Sequence, residues 1–283
     1  MFTKSISIKM WLAAFTVTVL LLIGLPSGTS VGLEEQMLAQ AALGPETYPP
    51  DPVSDYSWSA GYNGVADIQA AFNDGRHHEN IALPNMVMPS QTDWNARSDS
   101  EKALFLINSE RSARGVPPLH GVESNVTSVA QNFANYLFAN NVFDHFADGL
   151  GPWVRLSNNP AIGACQDFLS YAENLYVYMT DGNSISLPVE RSIYVFLYKD
   201  SGSLWEHRHA LLWYPYNDNS GPAGIEGFMG VGRASGGPWS GGWGYDWNFV
   251  EIIVYNTFDP CATWIYSQPQ NIKLYLPVVK RSQ

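Results

Sequence analysis

The chain has 283 residues, of which 46% are hydrophobic and 13% aromatic, and it carries a formal net charge of −11. That balance fills a core for one domain with an extension, or for two small domains. An acidic polymer repels phosphate backbones, so nucleic acid is excluded as the expected partner.

Lys4 and Lys9 precede an apolar run from Met10 to Leu25, and small residues through Ser27, Gly28, Thr29 and Ser30 follow it. This is the order of a secretory signal peptide. The run of about 16 residues is short for a membrane span, which takes about 20. Residues 1–30 are therefore expected to be removed near Ser30, with Ala39-Gln40-Ala41 as a later alternative. The charge then becomes −13, because Lys4 and Lys9 leave and no acid precedes Glu34. No second apolar run of spanning length follows, so the expected product is secreted and has no transmembrane span.

Residues 31–97 read as an N-terminal arm and linker. Pro45, Pro49, Pro50 and Pro52 with few aliphatics give an extended stretch. Val65, Ile68, Ala71 and Phe72 then recur at helical spacing and predict one short helix before Gly75. His77 and His78 diverge on any regular element and read as surface.

The main domain is placed at 98–264. Ser98 with Glu101 three positions on forms a capping box, and Ala103, Leu104, Leu106 and Ile107 continue a helix that Gly115 and Pro117 stop. Val126, Val129, Ala130, Phe133 and Leu137 mark the buried stripe of a second helix, 124–140, which leads into Phe143-Asp144-His145-Phe146. A third begins at Pro188 with Val189, Ile193, Phe196 and Leu197 inward, and ends near Asp200.

Trp205 to Trp213 follows, a charged and imidazole-rich core between two indoles. On a short helix, His207 and His209 point about 200° apart and cannot easily serve one site. Two β-type runs, 228–233 and 247–258, close the domain around a long glycine-rich connection. Helices first and strands later within one unit argue α+β. Cys165 and Cys261 are candidates for a disulfide in an oxidising compartment, with two buried thiols as the alternative. A bridge there closes a loop of about 95 residues, worth up to about 4 to 5 kcal/mol in the chain-entropy description. Residues 265–283 form a tail whose Tyr275-Leu276-Pro277-Val278-Val279 is strand-like and ends on Lys280 and Arg281.

Five segments in order carry a resemblance. They are Leu106-Ile107-Asn108-Ser109-Glu110-Arg111 with Gly115 to Leu119, Phe143-Asp144-His145, Ala172-Glu173-Asn174-Leu175, His207-Arg208 with Leu211-Leu212, and Gly230-Val231-Gly232. In this order the chain resembles the CAP superfamily of cysteine-rich secretory, antigen five and pathogenesis-related proteins and their bacterial relatives. The resemblance implies an α-β-α sandwich with a central antiparallel sheet and a large cleft holding two histidines and two acids. Position by position, it matches His145 and His207 to the two histidines and Glu173 to the first acid. Asp200 stands where the family pattern has Glu, with Glu190 and Glu206 as substitutes.

Two imidazoles and two carboxylates act in one of two ways. They hold Zn²⁺ or a similar divalent ion, with His145 and His207 as the metal ligands, or they only fix the walls of the cleft. Three functions follow. The first is a secreted binding module for a small apolar ligand, a metal ion or a cell-envelope component, with no catalytic residue assigned. The second is a metal-dependent hydrolase on peptide or envelope substrates, with Glu173 as general base. The third is a carbohydrate or surface adhesion module built on Trp239, Trp243, Tyr245 and Trp247, against the simpler reading of a hairpin stapled by buried indoles.

Overall fold

The computed structural model describes residues 49–164, 170–212 and 227–259. The signal-like segment, both cysteines and the basic-ended tail lie outside the described residues. In chain order the elements are α1 (Val65–His77), α2 (Gln91–Asn95), α3 (Asp99–Ala113), β1 (Gly121–Val122), α4 (Ser124–Ala139), α5 (Pro152–Ser157), α6 (Pro160–Gly163), β2 (Ser170–Thr180), α7 (Pro188–Tyr198), α8 (Glu206–Leu212), β3 (Phe228–Gly236) and β4 (Phe249–Asp259). The expected capping box of α3 is present. Ser98 Oγ accepts from the Glu101 amide and Glu101 Oε2 from the Ser98 amide, at 3.3 and 2.7 Å.

One four-stranded sheet runs β1-β3-β4-β2. Its three long strands are antiparallel, and the two-residue β1 adds in parallel to β3. β2 is thus the outer strand on one side, with Glu173 opposite Asn256 and Asn174 opposite Tyr255 on β4.

Alternation along the strands sorts their side chains into two cores. Leu175, Val177, Val250, Ile252, Val254 and Ala234 pack with Ala130, Phe133 and Leu137 of α4. Phe228 and Phe258 extend that face towards Val126 of α4, Leu156 of α5 and Ile162 of α6. On the other face Met229, Val231, Ile253 and Tyr255 join buried residues of α1, α3, α7 and α8. The molecule is therefore an α+β fold in three layers, with helices on both faces of a mixed sheet.

Two glycines let α4 lie directly on β3. A methyl group at Gly230 would stand 2.1 Å from the Thr127 amide nitrogen, and one at Gly232 would stand 2.2 Å from the Ala130 carbonyl. Any side chain at either position pushes the helix off the sheet.

The described part of the arm shares the second core, through Ile68, Phe72, Met86 and Trp94. A buried ion network also ties it down. Arg76 donates to Glu110 at 3.0 Å, Arg114 pairs with both Glu110 and Glu79, and Arg208 donates to Glu79 at 3.2 Å.

Candidate functional site

His145 follows α4 in a short turn segment, and its Nδ1 lies 2.9 Å from Glu173 Oε1. The ring is 40% exposed while the Glu173 carboxylate is 1% exposed. An ionised carboxylate only accepts, so it fixes the proton of neutral His145 on Nδ1 and leaves the Nε2 lone pair free. Arg155 of α5 donates to the same Oε1 at 2.7 Å and to the His145 carbonyl at 2.8 Å. Glu173 Oε2 is buried with no hydrogen-bond partner among the described residues. Burial and the neighbouring Glu173 carboxylate push the Tyr171 phenol above its ordinary range.

His207 is built the same way. Its Nδ1 lies 2.7 Å from Asp200 Oδ1, and its ring stacks on Phe196 with centroids 5.0 Å apart. Asp200 Oδ2 accepts from the backbone amides of His207 and Arg208 at 2.9 and 3.2 Å. The carboxylate thus serves the first turn of α8, where amides lack intrahelical partners and negative charge is favoured. Leu204 and Trp205 enter that turn with φ of 53° and 64°. Left-handed backbone costs a residue with a side chain roughly 1 to 2 kcal/mol. Asp200 holds the turn from both sides, its carbonyl accepting from the Trp205 amide at 3.0 Å.

The two substitutes for Asp200 are committed elsewhere or turned out. Glu190 accepts from the Trp94 indole at 2.9 Å, and Glu206 is exposed. His209 points away from His207 and meets Asp51 of the arm, its Nε2 lying 2.9 Å from Oδ1.

What joins the two pairs is the dipeptide Glu173-Asn174 on β2. Consecutive strand residues face opposite sides, and here Glu173 shares its face with Leu175 whereas Asn174 shares the face of Ala172 and Tyr176. Glu173 holds the ring of His145 on the α4 side. On the α8 side the Asn174 amide donates to the His207 carbonyl at 3.0 Å. The pairs therefore flank one point of the outer strand, approaching it from its two faces.

Nε2 of each histidine and Oε2 of Glu173 are the donor atoms these contacts leave over. Among the described residues, no group of three or more His, Cys, Asp or Glu side chains is placed to hold a metal ion. A zinc site takes three or four protein ligands converging on one point. The described residues do not by themselves make one.

Arg155 has no place in the sequence reading, although it clamps Glu173. It lies on a six-residue helix in a Gly/Pro/Asn-rich stretch, too short to show periodicity. Its one signal is a lone cation just beyond the His145 segment. In the glycine-rich connection one ring is buried and two, Trp243 and Tyr245, are exposed. Trp239 is buried and exchanges both backbone hydrogen bonds with Trp247. Trp243 packs edge-on against Trp239 and Phe143, and Tyr245 donates to Asp181 at 3.0 Å.

The class these features define is a three-layer α+β sandwich with two His–carboxylate pairs at the outer strand of its sheet. Two solved structures similar to this chain carry SCP or CAP domains. An extracellular protein from Bacillus anthracis str. Ames containing a SCP domain has a TM-score of 0.37 at 18% identity, over 62% of this chain and 45% of that one. The CAP domain of Enterococcal PrgA has a TM-score of 0.35 at 14% identity, over 78% of this chain and 90% of that one. This chain thus spans less than half the length of the Bacillus protein. No family model and no curated protein matches the sequence.

Proposed function

We propose that the chain is an exported CAP-type binding module. His145 and His207 border one polar cleft around the outer edge of β2, with Glu173 and Asp200 buried behind them, and the cleft takes a small apolar ligand or a cell-envelope component. The observation that carries this reading is the double hold of Glu173-Asn174, which ties two segments 62 residues apart in the chain, His145 and His207, to one strand position. Export rests on the signal-like order of residues 1–30. Among the described residues no helix is long and apolar enough to cross a membrane.

Binding is favoured over turnover because both carboxylates are already engaged. Glu173 is pinned through Oε1 by an arginine and an imidazole, and Asp200 by an imidazole and two amides. A carboxylate so held makes a rigid wall and a poor shuttling base. The buried Phe196 ring fixes the plane of His207 by stacking on it.

Calorimetric titration of the whole protein with palmitate, and separately with Zn²⁺, tests the reading. Saturable binding of palmitate is expected, with His145→Ala and His207→Ala each weakening it about tenfold, a change of about 1.4 kcal/mol. Palmitate affinity unchanged in both variants would contradict a shared cleft. Binding of Zn²⁺ alone, lost in both variants, would replace the apolar ligand by a metal.

A further inference from the structure

A concave site lies on the α4 face, beside the His145–Glu173 pair. It is an open hollow of about 290 Å³, lined by Asn132, Phe133, Tyr136, Asp148, Arg155 and Asn158 among others. Neither His145 nor Glu173 lines it. We propose that this hollow binds one neutral sugar ring, as a site separate from the cleft and not dependent on the reading given for it.

Its floor carries one open aromatic face, that of Tyr136, beside the buried Phe133 ring. The Phe133 and Tyr136 rings lie within 16° of parallel with centroids 6.4 Å apart, and the Arg155 guanidinium sits 3.5 Å from the centre of the Phe133 ring. Tyr136 is partly exposed, and its hydroxyl is fixed by donation to the Ala147 carbonyl at 3.1 Å. A ring held by its polar tip offers a flat apolar face to a partner that has one. The C–H face of a pyranose is such a partner.

The polar groups around that floor are matched to hydroxyls. Arg155 spends Nη1 on Asp148 Oδ1 and the Leu150 carbonyl, and Nη2 on Glu173 and the His145 carbonyl. Its Nε–H is buried without a hydrogen-bond partner among the described residues. Asn132 and Asn158 stand exposed at the rim, each amide offering donors and acceptors. Asp148 commits Oδ1 to Arg155 and to the Leu150 amide, which leaves Oδ2 to accept.

Charge and volume narrow the ligand class. One guanidinium faces two carboxylates, Glu173 and Asp148, so an anion meets net negative charge and finds the four η hydrogens already taken. A neutral polyhydroxylated ring satisfies the donors and acceptors without that penalty. The volume sits at the lower end of the range for small-molecule sites, roughly 300 to 1,000 Å³, which suits one ring better than an extended chain.

The test is a titration of the ¹⁵N-labelled whole protein with glucose, galactose, mannose and N-acetylglucosamine, following the side-chain amides of Asn132 and Asn158. Saturable shifts of both amides are expected with at least one of these sugars. Tyr136→Ala and Asn158→Ala, both surface changes, should weaken that binding about tenfold. The anionic analogue glucuronate should bind about tenfold less well. His145→Ala should leave sugar affinity unaltered, which separates this site from the cleft. No saturable shift with any of the four, undiminished affinity in both hollow variants, or tighter binding of glucuronate would overturn the proposal.

Discussion

Glu173 and Asn174 illustrate how two neighbouring residues do different work because a strand turns them to opposite faces. Glu173 acts through charge and orients an imidazole, whereas Asn174 acts through one amide hydrogen bond to a backbone carbonyl 33 residues away. Replacing Asn174 by Ala should cost about 1 to 2 kcal/mol, the loss of a buried hydrogen bond with a partner left unsatisfied. The ring signals of His207 should shift while those of His145 hold still, and a denaturant series with an NMR spectrum of the variant checks both. The residues involved, though not their contacts, were named by the motifs beforehand. The order of short motifs singled out His145, Glu173 and His207, and it preferred Asp200 to Glu190 and Glu206. It could assign Asn174 no role, because a hydrogen bond to a distant backbone atom leaves no trace in residue spacing. Arg155 escaped for a similar reason, since its partners lie at His145, Asp148, Leu150 and Glu173 and only the fold gathers them.

Among the elements, helices α3, α4 and α7 were legible because each buries one stripe against a sheet or a neighbouring helix. β2 was not. Its two faces meet different helical layers, so Leu175, Val177 and Met179 on one side and Ala172 and Tyr176 on the other are all apolar, and no polar alternation remains to read. The tie between α1, α3 and α7 was also hidden, because it is ionic and buried. Burial alone raises the carboxyl pKa of Glu110, but Arg76 and Arg114 overcome it, and the Tyr198 hydroxyl donates at 2.8 Å, so the group is held below its ordinary value. The sign follows directly. A depressed folded pKa gives stability that is complete above the ordinary value of 4.5 and drains away as pH falls below it. Glu251, raised by burial, contributes in the opposite sense. Glu110→Gln should therefore lower stability at neutral pH and flatten its loss in acid. Denaturant midpoints measured across the acid range check this, and an acid limb as steep as that of the unaltered protein would count against the network.

For the molecule as a whole, the three layers matter because they place the outer strand between two separately built histidine supports. The α+β class followed from helices preceding strands. The parallel two-residue β1 did not, since Gly121 and Val122 join β3 only through backbone pairing. The central claim is that both supports use the same chemistry, a carboxylate holding Nδ1 so that each Nε2 faces outward with a free lone pair. The most direct measurement is the long-range ¹H–¹⁵N imidazole spectrum of the intact protein at alkaline pH. His145 and His207 are both expected to carry their proton on Nδ1. A proton on Nε2 in either ring would contradict the paired site and the cleft built from it.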